Sequence, residues 1–170
     1  MKTIAFACVL LLLLPLAGTA QDLILGLGPH ETASVVKKSS RTPTVRLRDG
    51  SLLTVSYREN LGFKVTWTKN AKTFALADSL TNALMVQAAE KDIDGDGKHE
   101  VIIAAKITDD NIEVTVFRKP EFETYYQRWS SFTAVAAVEF PGDNTVKIYD
   151  LNGKAGTYRF DRHGKLTELP

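Results

Sequence analysis

The sequence predicts an all-β fold built from antiparallel hairpins and meanders. Short segments that alternate apolar and polar residues recur along the chain, and this period of two is typical of half-buried strands. Pairs rich in Gly, Asn or Asp separate these segments, as hairpin turns require. No long segment has convincing helical periodicity. A sandwich, an open barrel and a partial, propeller-like stack of meanders all satisfy this pattern.

The first part of the chain contains one short apolar stretch and two hairpins. Residues 23–27 predict an edge strand, and the polar residues that follow, up to Pro43, predict a surface segment. Residues 45–57 alternate on both sides of Asp49-Gly50, a strong signal for a tight turn. A second hairpin is predicted where the alternating segment 63–67 is followed by a turn and a return strand.

The middle of the chain predicts a third hairpin. Residues 80–89 fit either a short helix or a strand, and a strand that leads into an acidic loop is favoured. Residues 101–107 form a continuous apolar run of strand length. After the turn at Asp109-Asp110-Asn111, residues 112–117 alternate again.

The C-terminal part predicts further strands. Residues 120–131 are aromatic and mixed in charge, and are compatible with a turn of helix before an apolar strand over 132–140. A three-stranded meander is predicted beyond it, with turns at Asn152-Gly153 and His163-Gly164.

The N-terminus has the order of a secretory signal peptide. Lys2 precedes an apolar run over 4–16, and small residues end at Ala20, where cleavage is expected. Cleavage would leave a single β domain, residues 21–170, with no transmembrane segment. It would also remove Cys8, the only cysteine, so an exported domain would need a cross-link other than a disulfide. The predicted location is therefore secreted or periplasmic. The formal net charge of +1 argues against nucleic acid as a partner.

The segment DIDGDGKHE, residues 92–100 (hereafter the acidic loop), predicts a calcium site between two strands. Calcium takes six to eight oxygen ligands, and the spacing of four acids within this segment aims alternate side chains at one centre. Lys98 can add its carbonyl oxygen, and Gly95 and Gly97 allow the tight turn. The predicted metal ligands are Asp92, Asp94, Asp96, Lys98 and Glu100, and the predicted cofactor is Ca²⁺.

The acidic loop departs from an EF-hand at its twelfth position. Ile103 stands where the EF-hand needs a bidentate acid, and an apolar strand follows where a helix is required. Over about residues 84–107 the chain resembles instead the calcium-binding repeats of the FG-GAP and VCBS type, which place D-x-D-x-D-G-x-x-[DE] before an aliphatic strand. The resemblance implies that the four acids bind through their side chains and Lys98 through its backbone.

A few other residues are candidates for catalysis or ligand contact. Three histidines lack partners at metal-binding spacing and are expected to be exposed, and no serine-hydrolase motif occurs in residues 21–170. Aromatic residues at 122–132, among them Tyr125, Tyr126 and Trp129, fit a short helix that covers the core, or else a surface that contacts a glycan or an extracellular protein. A calcium-binding interaction module is therefore the favoured function, and a small secreted hydrolase acting on a polysaccharide or another extracellular substrate is the alternative.

Overall fold

The computed structural model describes Leu25, residues 32–121 and residues 123–170, and over these ranges the chain forms antiparallel β-strands and no helix. Those residues contain thirteen strands in three sheets. Their bounds are β1 Thr32–Val36, β2 Thr44–Arg46, β3 Leu52–Arg58, β4 Gly62–Lys69, β5 Lys72–Leu80, β6 Met85–Lys91, β7 Glu100–Thr108, β8 Asn111–Arg118, β9 Gln127–Ala134, β10 Ala137–Glu139, β11 Thr145–Tyr149, β12 Ala155–Phe160 and β13 Leu166–Glu168.

The three sheets form consecutive layers. The N-terminal sheet has the order β2-β3-β4-β5, the central sheet β1-β6-β7-β8-β9, and the C-terminal sheet β10-β11-β12-β13. One hydrophobic core lies between the N-terminal and central sheets, and a second core lies between the central and C-terminal sheets. Over the described ranges, the chain is therefore a layered stack of antiparallel sheets and not a closed barrel.

Strand β7, in the middle of the central sheet, has no alternation of apolar and polar residues over 101–105. Val101, Ile103 and Ala105 belong to the core shared with the N-terminal sheet. Ile102 and Ala104 belong to the core shared with the C-terminal sheet. Because successive side chains of a strand point to opposite faces, a strand covered on both faces is apolar throughout.

The structure confirms the predicted all-β class and its hairpins. The turns at Asp49-Gly50, Asn152-Gly153 and His163-Gly164 all join paired strands, and each of their glycines has a positive φ. The ambiguous segment before the acidic loop is a strand, β6. Each of these turns is specified by its own residues, which explains why a local pattern suffices to locate it.

Three sequence predictions about the fold were wrong. The segment expected to run along the surface contains β1, which pairs with β6 and buries Ala33 and Val35. The helical turn expected within 120–131 does not form among the described residues of that range, because β9 begins at Gln127 and pairs with β8. The strand expected over 132–140 is divided between β9 and β10.

Strand β9 contains a β-bulge at Trp129. Its register against β8 shifts between Phe117, which lies opposite Arg128, and Val116, which lies opposite Ser130. Trp129 is the extra residue, and the bulge turns its side chain towards Phe160 of the C-terminal sheet, with the ring centres 4.9 Å apart. The bulge thus brings an aromatic ring from the central sheet into the second core.

Two predictions concern residues that are largely or wholly undescribed. The signal peptide over 1–20 lies outside the described residues, and so does the predicted strand over 23–27 except for Leu25. Leu25 is buried, forms a parallel bridge with Val138, and donates its N–H to Gln87 Oε1 at 2.9 Å. Among the described residues, no helix has the length and apolar character needed to cross a membrane.

Candidate functional site

The acidic loop joins β6 to β7 at one end of the central sheet. It brings together Asp92, Asp94 and Glu100, each of which offers a carboxylate oxygen within 4.8 Å of those of the other two. The three residues come from the beginning, the middle and the end of the loop. The loop conformation therefore produces the cluster.

The backbone of the loop wraps around the first of these carboxylates. Asp92 accepts hydrogen bonds from the N–H groups of Gly95, at 2.8 Å, and Gly97, at 3.0 Å. Both glycines have a positive φ, 76° and 81°, a conformation that residues with a Cβ rarely adopt. Asp94 in turn accepts a hydrogen bond from the N–H of Asp96. The glycines of the motif are thus needed for the curvature of the loop.

Glu100 is the buried member of the cluster, with only 1% of its side chain exposed. Its Oε2 accepts the N–H of Ile93 at 3.0 Å, and its Oε1 accepts a bond from Arg118 Nε at 2.9 Å. Burial raises the pKa of Glu100 above its ordinary value, and the two hydrogen bonds oppose this rise only in part. The carboxylate is therefore held in a place where its negative charge needs a nearby cation.

Arg118, the last residue of β8, supplies positive charge to the cluster. Its Nη2 lies 2.8 Å from Asp94 Oδ2, in addition to the bond with Glu100. The cluster has three carboxylates, and Arg118 pairs with two of them, so the cluster keeps an excess of negative charge. An all-oxygen donor set with negative charge suits a hard divalent cation. The three acids could therefore hold a metal ion.

The acidic loop is also attached to the C-terminal sheet. The N–H of Asn144, in the turn before β11, donates to the carbonyl oxygen of Ile93 at 2.8 Å. Gly95 approaches the same turn so closely that a Cβ on it would lie 3.2 Å from the Gly142 carbonyl oxygen. The loop thus connects the central sheet to its neighbouring layer.

Two further ligands were predicted, the Asp96 carboxylate and the Lys98 carbonyl oxygen. Asp96 and Lys98 are exposed, and a carboxylate oxygen of Asp96 accepts the N–H of Lys98 at 2.7 Å. The three clustered acids do not include Asp96. Sequence reasoning did not identify Arg118, which lies on another strand; its one sequence signal is a cation at the end of the alternating strand β8.

The three candidate aromatic residues do not form one surface. Tyr125 is 43% exposed, whereas Tyr126 is 7% exposed and packs edge-on against Trp67, with the ring centres 5.4 Å apart. Trp129 is half-buried against the second core. Two of the three rings therefore pack against core residues, and only Tyr125 retains the exposure that a contact residue needs.

Asp49, in the first hairpin turn, is the centre of a second charged cluster near the acidic loop. Its Oδ2 lies 2.9 Å from Lys69 Nζ and 2.6 Å from Lys119 Nζ, and Ser51 hydrogen-bonds to its other oxygen. Burial disfavours its ionised form, but the hydrogen bonds from Lys119, Ser51 and Lys69 outweigh this and hold the pKa of Asp49 well below its usual range.

Two clefts flank the acidic loop. One, of about 460 Å³, lies between β2 and the end of β6, and its lining includes Arg48, Lys91 and Asp92. The other, of about 360 Å³, includes Lys98, Arg118 and Tyr126. His99 lines both clefts and is half-buried, although its position in the loop led us to expect an exposed ring.

Comparisons with known proteins leave the site to be interpreted from its own geometry: no family model, curated protein or solved structure matches this chain.

Proposed function

We propose that the acidic loop binds one calcium ion, which stabilises the domain by holding the central and C-terminal sheets together. The observation that carries this proposal is the convergence of Asp92, Asp94 and Glu100 within 4.8 Å in a loop that is bonded to the neighbouring layer at Asn144. An ion at this position ties both ends of the loop together. The resemblance of residues 84–107 to FG-GAP and VCBS repeats supports calcium as the ion.

The ion acts by neutralising mutual repulsion between the acids. With calcium bound, Asp92, Asp94 and Glu100 supply side-chain oxygens, and Asp96 and the Lys98 carbonyl lie near enough in sequence to complete the shell. In an exported protein that loses Cys8, this ion replaces a disulfide as the cross-link. Calcium is plentiful outside the cell, and sites of extracellular modules bind it with a Kd of roughly 10⁻⁴ to 10⁻³ M.

The experiment is thermal unfolding of residues 21–170 with 10 mM calcium, with 10 mM magnesium and with chelator. If the Kd lies in the range above, saturating calcium stabilises the folded state by about 1–3 kcal/mol. Since a domain of this size gains about 2–4 °C in Tm for each kcal/mol, Tm rises by about 2–12 °C. Magnesium gives a smaller rise because it loses its water ligands reluctantly. No rise with calcium would overturn the proposal.

Matched variants locate the ion. Asp94→Asn removes a charge from the cluster and abolishes most of the calcium-dependent rise. Asp96→Asn, two residues away, abolishes less of it, because Asp96 lies outside the three clustered acids. Asp110→Asn, in the exposed turn between β7 and β8, leaves the rise unchanged. An equal rise in Asp94→Asn and the unmutated protein would exclude this cluster as the site.

A further inference from the structure

The second core opens into a cleft at the end of β7 that is opposite the acidic loop. On β12, Phe160 closes this core, because its ring centre lies 4.9 Å from that of Trp129 and 6.2 Å from that of Phe132. Tyr158 points to the same face of β12, but it lines a cleft of about 560 Å³ between the central and C-terminal sheets. This volume is within the range of small-molecule sites, roughly 300–1,000 Å³.

Gly156 determines where the Tyr158 ring lies in this cleft. A Cβ on Gly156 would lie 3.0 Å from Cε2 of Tyr158 and 3.1 Å from its phenol oxygen. Gly156 is not among the glycines with a positive φ, so its backbone conformation does not require glycine. The missing side chain instead leaves space for the ring. The Tyr158 ring therefore lies along its own strand, towards Gly156, and the gap between the two sheets stays open there.

Apolar side chains from both sheets form the walls of the cleft. Phe132 extends from the central sheet, and Ile148, Tyr158 and Leu166 extend from the C-terminal sheet; all four also pack against the second core. Such walls offer few hydrogen bonds to replace the water around a small, strongly hydrated ion. The faces of aromatic rings nevertheless attract cations. The walls therefore suit an apolar ligand, or a cation whose charge is surrounded by alkyl groups.

The charges at the cleft select the cation. Among the described residues, the charged ones that line it are Asp110, in the turn between β7 and β8, and Glu168 of β13. Glu168 lies opposite Tyr158 in the pairing of β12 with β13, so the two side chains point to the same face of the sheet. The lysine closest in sequence to Asp110, Lys106, lies 3.0 Å from the carboxylate of Asp109. Two acids, one from each sheet, thus stand beside apolar walls.

We infer that this cleft binds a small quaternary ammonium compound. The methyl groups of the ligand contact the rings of Phe132 and Tyr158, as in other aromatic sites for quaternary ammonium ions. Its positive charge faces the carboxylates of Asp110 and Glu168. A ligand with a phosphate beside the ammonium group would be repelled by the same two acids, and Lys154 lines the adjoining cleft and not this one. The site shares no residue with the acidic loop, so it does not depend on calcium.

The experiment is an NMR titration of the protein that follows backbone amide signals, with choline and three related compounds. The neutral alcohol in which a carbon atom replaces the choline nitrogen lacks the charge, ethanolamine lacks the methyl groups, and phosphocholine adds an anion. We expect choline to shift the signals of Phe132, Tyr158 and Glu168 but not those of the acidic loop, equally in calcium and in chelator. The other three compounds bind at least about tenfold more weakly.

Matched variants test the two kinds of contact. Tyr158→Leu removes the ring, Glu168→Gln removes a charge, and each weakens choline binding by about fivefold. Gly156→Ala displaces the Tyr158 ring without altering it and weakens binding as well, with no backbone strain. The controls are Tyr125→Leu, at an exposed tyrosine before β9, and Glu113→Gln, at an exposed acid on the opposite face of β8. Both leave choline binding unchanged, and thermal unfolding verifies that each variant is folded.

Other outcomes overturn the inference. Absence of choline shifts at the cleft, or equal binding of any of the other three compounds, would exclude a quaternary ammonium site there. Unchanged binding in both Tyr158→Leu and Gly156→Ala would do the same. Loss of choline binding in chelator would place the ligand at the acidic loop instead. If calcium fails to raise Tm while choline still binds at the cleft, the calcium proposal fails and the ammonium site stands.

Discussion

The guanidinium carbon of Arg118 lies 3.8 Å from the centre of the Trp129 indole ring, an arrangement in which the cation covers the face of the ring. Trp129 is the bulged residue of β9, so the bulge places this ring beneath the guanidinium. The same guanidinium contacts Asp94 and Glu100. The cation that faces the acidic loop is therefore fixed by the neighbouring strand.

This arrangement predicts that the Arg118→Met variant is much less stable without calcium than with it. Without calcium the variant leaves Glu100 buried beside Asp94 with no cation. We therefore expect its free energy of unfolding to fall by about 2 kcal/mol, somewhat less than for a fully buried pair. With calcium the loss shrinks, and calcium binds more tightly because a competing positive charge is gone. Urea unfolding in chelator measures the loss of stability, and the additional stability gained in calcium reports the tighter calcium binding. Arg128→Met, on the exposed side of β9, is the control. An identical loss in calcium and in chelator would contradict the prediction.

The Asp49 turn predicts an acid-sensitive contribution to stability. Because the pKa of Asp49 is lowered in the folded state, its contribution is fully present above the unfolded value of about 3.9 and is lost as the pH falls further, towards the folded value. Asp49→Asn keeps an oxygen for the Ser51 N–H but loses the attraction to Lys69 and Lys119. We expect the variant to be less stable by about 1–2 kcal/mol at pH 7, with the difference decreasing below pH 4. Urea unfolding across this pH range measures it; a constant difference would contradict the prediction.

Two turns of similar sequence give a matched pair of glycine substitutions. Gly153 and Gly164 both have a φ near 80°, at 79° and 80°. A Cβ at Gly153 meets nothing within 4 Å, whereas one at Gly164 would lie 2.3 Å from the carbonyl oxygen of Trp129. We expect Gly153→Ala to cost about 1 kcal/mol for the backbone conformation alone and Gly164→Ala to cost at least 2 kcal/mol more, because the β9 bulge must move. Equal losses in thermal unfolding would show that the bulge does not pack on this turn.

The central layer predicts that neighbouring residues of β7 stabilise different cores. Ile102→Val and Ile103→Val each remove one methylene from a buried side chain and should each cost about 1 kcal/mol. The double variant should cost nearly the sum, since the two side chains share no core. Ile107→Val, at a half-buried position, should cost less. If Ile103→Val leaves the free energy of unfolding in urea unchanged, the N-terminal sheet does not cover this face.

The sequence allowed the hairpins and the acidic loop to be predicted because their signals are local. Asp49-Gly50 and Asn152-Gly153 specify turns by their own backbone preferences, and the acids of the loop are close in sequence. Strand β1 was missed because its residues, TASVV, are mixed in character and are buried only by pairing with β6. Arg118 was missed for a related reason: it lies 18 residues from Glu100 and 24 from Asp94, and a pairing register is needed to bring them together.

The aromatic segment shows a different limit of sequence reasoning. Tyr126, Trp129 and Phe132 recur at a spacing of three, which fits a helix as well as a strand with one extra residue. The bulge at Trp129 supplies that extra residue. Tyr126 then packs in the first core, while Trp129 and Phe132 pack on the second. No local pattern distinguishes these arrangements, because the outcome depends on the register with β8.

The pairing of β1 with β6 has a consequence for the order of folding. The whole N-terminal sheet lies between these adjacent strands, so their contact closes a loop of roughly fifty residues. The hairpins β6–β7 and β7–β8 close far shorter loops and are kinetically favoured to form early. Strand β1 therefore joins the nascent sheet late and separates from it first. Amide hydrogens of β1 should exchange with solvent faster than those of β7, where both neighbours are already in place.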